Sequence, residues 1–119
     1  MYDNELLNKL FSWGADIQTS LERFMDDEEL YLGFIKKFPE TSQMDKLTQL
    51  IIDKDYENAV LEAHTLKGVT GNLGLVPLYE GLSEIINDMR AGNYGIIENK
   101  YKAIRDNYNA VCIIISNYR

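Results

Sequence analysis

The one histidine of this chain, His64, lies in Ala63-His64-Thr65-Leu66-Lys67-Gly68-Val69-Thr70-Gly71-Asn72-Leu73-Gly74, beside a lysine and several glycines. At about 100° per residue, a helix here gathers Val60, His64, Lys67, Gly68, Gly71 and Leu75 on one side. Ala59, Ala63, Leu66, Val69, Thr70 and Leu73 fall on the other. The second side is apolar and suited to burial. The first carries an imidazole, an ammonium and two positions with no side chain.

A neutral imidazole nitrogen is a competent nucleophile near neutral pH, because its unperturbed pKa is about 6.5. Phosphoryl transfer needs mainly positioning and charge stabilisation from the protein. Lys67, one turn from His64, offers positive charge to phosphoryl oxygens. Each glycine inside a helix costs about 1 kcal/mol relative to alanine. Gly68 and Gly71 therefore read as a cleared patch where another molecule's backbone or a bulky anion can approach the ring. Such residues suffice for a phosphoryl carrier but not for a kinase. The chain has no G-x-x-x-x-G-K-[ST] loop and no acidic cluster after a strand to hold Mg²⁺. ATP is not an expected substrate, so phosphate must come from, and go to, another protein.

The elements that position these residues are helical by pattern. Residues 4–12 form a short amphipathic start ending near Gly14, and residues 16–25 a second short helix with Ile17, Leu21, Phe24 and Met25 on one face. Asp26 with Glu29 has capping-box character and opens a helix whose stripe is Leu30, Tyr31, Phe34, Ile35 and Phe38. Tyr31, Phe34 and Phe38 are expected in the core. The next stripe, Met44, Leu47, Leu50 and Ile51, is out of phase with it, which predicts a break or strong kink at Pro39. Asp55 caps the His64 helix over 56–73, Gly74 closes it, and Pro77 sits in the first turn of a helix ending near Gly92. Asn93 starts a final helix through Ile96, Ile97, Tyr101, Ile104, Tyr108, Val111, Ile114 and Ile115.

Short connections between long helices favour antiparallel neighbours. The expected fold is all-α: an antiparallel up-and-down four-helix bundle of 28–52, 56–73, 77–91 and 94–116, with short accessory N-terminal helices covering one end. At 119 residues, 45% hydrophobic and 26% charged, residues 1–119 fit a single domain with one core. The formal charge of −7 gives nucleic-acid binding no electrostatic footing and is read as solubility. One cysteine and one histidine cannot assemble a zinc set, and Cys112 is expected as a small buried hydrophobe of the last helix. The first residues lack a signal-peptide pattern and the apolar run 110–115 is too short for a membrane span. Cytoplasmic residence without membrane association is the resulting expectation.

The pattern His64-x-x-Lys67-Gly68 followed by Gly74 and Leu78 resembles the signature of histidine-containing phosphotransfer (HPt) domains. The upstream run Glu22-Arg23-Phe24 through Asp27-Glu28-Glu29-Leu30-Tyr31, with Phe34 and Phe38, is similar to the helix that leads into the family's bundle. The resemblance covers roughly 14–92. It implies one long helix across Pro39, and a role as carrier in a multistep two-component phosphorelay. His64 would take a phosphoryl group on Nε2 from the aspartyl-phosphate of a response-regulator receiver and pass it to another receiver. No cofactor is then needed on this chain, with Mg²⁺ expected on the receiver. The receiver would dock around Val60, Leu61, Gly68 and Gly71. Some family members orient the imidazole with a polar residue of the next helix; here Glu84, Asn87, Asp88 and Arg90 are candidates.

Two other classes compete. The phosphoacceptor domain of a sensor kinase would want an acidic residue after the histidine, but Thr65 stands there. A phosphorylation-independent helical adaptor would bind partners without using His64. Within the carrier class, the chain fits a free-standing shuttle or the C-terminal domain of a hybrid histidine kinase.

Overall fold

A computed structural model describes residues 2–118 of the chain. Among the described residues there are seven α-helices and one 3-10 turn, and no strand. The helices are α1 (Glu5–Trp13), α2 (Ile17–Arg23), α3 (Glu28–Thr41), α4 (Met44–Ile52), α5 (Tyr56–Asn72), α6 (Val76–Arg90) and α7 (Ile97–Ser116). The 3-10 turn is Tyr94–Ile96 and leads into α7. The all-α expectation holds. None of the helices is long and apolar enough to cross a membrane.

Local chemistry sets most boundaries. Asn4, Asp16, Asp27 and Asp55 each accept a hydrogen bond from a backbone N–H three residues on, capping α1, α2, α3 and α5. The cap of α3 is thus Asp27, not the expected Asp26, which instead sits with Met25 in a left-handed turn at φ 59° and 57°. Gly14, at φ +125°, ends α1.

Pro39 does not break its helix. It lies near the C-terminal end of α3, and the Tyr108 hydroxyl donates to its carbonyl at 3.2 Å while meeting the Ser42 hydroxyl at 2.8 Å. The chain turns three residues later, at Ser42 and the left-handed Gln43 (φ 57°). The stretch 28–52 is therefore two helices rather than one, which accounts for the phase slip between their stripes.

α5 packs most extensively on α6, α6 on α7 and α4 on α5, while α1, α3 and α4 also reach α7. The buried side chains form one continuous cluster, from Leu6, Leu7 and Leu10 through Tyr31, Ile35 and Phe38 to Val111 and Ile115. At about 25 cal/mol per Å² of apolar surface, this cluster is the main stabilising term. Trp13 is partly buried, and among the described residues its enclosed indole Nε1 has no hydrogen-bond partner. Cys112 is only half-buried, because α7 turns it toward the edge of the core, and partial burial raises its thiol pKa.

α3 and the start of α2 brace the far end of α5. The Tyr31 hydroxyl donates to the Leu73 carbonyl at 2.7 Å, and the Asp16 N–H donates to the Gly74 carbonyl at 2.8 Å. Gly74, at φ +72°, has no room for a side chain: a Cβ would overlap the Ser20 hydroxyl and come within 2.6 Å of the Asp16 carbonyl oxygen. The glycine permits this tight joint.

Candidate functional site

α5 buries Ala59, Ala63, Leu66 and Thr70 and turns His64, Thr65 and Gly68 outward. His64 is exposed midway along the helix, and among the described residues no side chain hydrogen-bonds its imidazole. Gly68, one turn on, faces open space: a Cβ there would meet nothing within 4 Å. Lys67 is half-buried and enters no ion pair among the described residues. Its Nζ lies 5.5 Å from the centroid of the Tyr79 ring on α6.

Gly71 departs from the expected cleared patch. A Cβ there would sit 3.0 Å from Cδ2 and Cε2 of Tyr79, so the missing side chain makes room for a ring of this protein rather than for an incoming molecule. Leu75, placed with His64 by the helical projection, is fully buried. It lies beyond the helix end, with its N–H bonded to the Thr70 carbonyl at 2.9 Å. Val60 is half-buried against the core, whereas Leu61 is 65% exposed.

Two expected core residues are rim residues instead. Phe34 is 51% exposed and Val69 39%, and both line a shallow depression with Lys37, Thr41, Thr65, Gly68, Asn72 and Leu73. Gly68 lines the same depression, and with no side chain it places nothing bulky over Phe34. Phe34 packs its other side on Phe24, with ring centroids 5.5 Å apart. A second depression, lined by Lys46, Leu50, Asn58, Leu61, Glu62 and Thr65, meets the first at Thr65, the neighbour of His64.

The candidates for orienting the imidazole do not reach it. Asp88 and Glu84 hold Lys100 of α7 at 2.8 and 3.4 Å, and Arg90 is exposed in the last turn of α6, where its charge suits the helix dipole. Tyr79 was not legible as a site residue, being an ordinary exposed aromatic by pattern. Among the described residues no three His, Cys, Asp or Glu side chains converge on a metal position.

The site is thus a solvent-facing imidazole with a cation one turn away that enters no ion pair among the described residues, free space at Gly68, and two depressions that meet at the neighbouring Thr65. Compared with known proteins, the chain matches no family model, no curated protein and no solved structure.

Proposed function

We propose that this protein is a histidine phosphotransfer carrier of a multistep phosphorelay. It accepts a phosphoryl group on His64 from a receiver-domain aspartate and delivers it to another receiver, without ATP-dependent kinase activity of its own. The observation that carries this is the open face of α5, where His64 is exposed, Gly68 is unobstructed and Lys67 has no ion-pair partner among the described residues.

In the forward step the neutral imidazole Nε2 attacks the phosphorus of the aspartyl-phosphate. The P–O bond to the aspartate breaks as the N–P bond forms, and the electron pair leaves on the carboxylate. Lys67 offsets charge on the phosphoryl oxygens. A receiver of this class would carry the Mg²⁺ in its own acidic pocket, so this chain supplies only nucleophile, cation and clearance.

The order of packing fits an antiparallel four-helix bundle with α3 and α4 together as one member, α5, α6 and α7 as the others, and α1 and α2 accessory. On this reading the receiver seats on the two depressions that meet at Thr65, beside His64. Phe34, Leu61 and Val69 supply apolar contact, and Lys37 and Lys67 complement an acidic partner. That assigns the docking role to Phe34 and Val69 rather than to Gly71 and Val60. Cytoplasmic residence fits the same role.

The test is incubation with a panel of radiolabelled, phosphorylated receiver domains, comparing the wild type with His64→Gln. Acid-labile, base-stable label on the wild type alone supports the reading. Transfer persisting in the variant excludes it.

A further inference from the structure

We infer that Tyr79 of α6 is a positioning residue for Lys67, holding the ammonium at the seam between α5 and α6 beside His64. This rests on the carrier reading above. The Lys67 Nζ lies 5.5 Å from the centroid of the Tyr79 ring, within the range of a cation–π contact. That ring is in turn seated against the backbone of Gly71, where a Cβ would be 3.0 Å from two ring carbons. Gly71 and Tyr79 thus form one device, in which the bare position on α5 lets the ring lie close enough to meet the lysine four residues earlier.

The choice of an aromatic restraint has a chemical consequence. A carboxylate beside Lys67 would restrain it as well, but would neutralise it and compete with phosphoryl oxygens for its protons. The ring confines the side chain and leaves the full charge and all three N–H donors for an anion. Its attraction is weak enough, at a site where Tyr79 is 39% exposed, to yield to a phosphoryl group. The four ion pairs among the described residues engage Lys46, Lys100 and Arg105, and none engages Lys67.

The test uses the full chain and the variants Tyr79→Phe, Tyr79→Leu, Lys67→Met and the double Tyr79→Leu/Lys67→Met. Two readouts are needed: the rate of label transfer from a phosphorylated receiver domain, and the proton shifts of the Lys67 ε-methylene by NMR. The wild type and Tyr79→Phe are expected to show the ring-current upfield shift and equal rates within about twofold. Tyr79→Leu loses the shift and slows transfer about three- to tenfold. The double variant is no slower than Lys67→Met, because Tyr79 acts through Lys67. Should Tyr79→Leu lower thermal stability, the phenylalanine variant and the methylene shift decide the matter. A wild-type rate in Tyr79→Leu, or an additive loss in the double variant, overturns this inference alone. Absence of label from wild-type His64 overturns the carrier reading and this inference with it.

Discussion

Arg23 on α2 clasps the end of the helix that bears His64: its Nη2 donates to the Gly71 carbonyl at 3.0 Å and its Nε to the Asn72 carbonyl at 3.3 Å. These carbonyls belong to the last turn of α5, at the negative end of the helix dipole, where the Gly71 carbonyl also accepts from the Gly74 N–H at 3.3 Å. Arg23→Met keeps the apolar stem and loses the donors. Urea unfolding should show a loss of about 1 kcal/mol, and amide exchange should quicken at Leu73–Leu75. An unchanged midpoint would remove Arg23 from the account of how α5 is anchored.

Gly74→Ala is expected to be far more damaging. The new methyl would overlap the Ser20 hydroxyl, and the residue would still have to hold φ +72°. Strain and overlap together predict a loss of at least about 2 kcal/mol in denaturant unfolding. Pairing it with Ser20→Ala should recover only part, because the Asp16 carbonyl remains 2.6 Å from the added carbon.

Gly68 and Gly71 should respond in opposite ways to alanine. Nothing lies within 4 Å of a Cβ at Gly68, so Gly68→Ala should raise stability by up to about 1 kcal/mol through helix propensity alone. At Gly71 the Tyr79 ring must shift, and the gain should vanish or reverse. Thermal unfolding of the two variants measures the difference directly. If bulk near His64 obstructs the partner, Gly68→Leu should slow phosphoryl transfer without unfolding the protein.

Several tyrosines make the fold sensitive to alkali. Burial pushes the Tyr31 and Tyr101 phenols above their ordinary value, and raises Tyr108 to about 12. A folded-state pKa above the unfolded value of about 10 means that the unfolded chain gives up these protons first. Their stabilising contribution is therefore whole below pH 10 and is lost as pH climbs from there toward 12. Unfolding midpoints measured from pH 8 to 12 should fall above 10. Tyr108→Phe should have a shallower decline, although it also loses the hydroxyl contacts to Pro39 and Ser42.

The helical class, the cap at Asp55 and most of the buried face of α5 were legible in the sequence, because caps and periodicity are local signals. Phe34 and Val69 were misplaced because one helix's pattern cannot say whether a neighbour will cover it; for Phe34 of α3 the facing surface is the bare Gly68 of α5. Gly71 was read correctly as clearance but for the wrong occupant, since Tyr79 is eight residues away across a turn. The turn after Pro39 came late because a proline near a helix C-terminus removes a single hydrogen bond, and Tyr108 of α7 secures the carbonyl there. Each of these misses is a tertiary contact acting on a local pattern that was otherwise read as written.

The central claim is that His64 carries phosphate. Phosphorus NMR of the protein after exposure to a phosphorylated receiver domain tests it most directly. The account predicts a phosphoramidate resonance in the wild type that disappears on acidification, disappears on adding a second unphosphorylated receiver, and is absent from His64→Gln. No such resonance with any receiver of a broad panel, or the same resonance in His64→Gln, would contradict it.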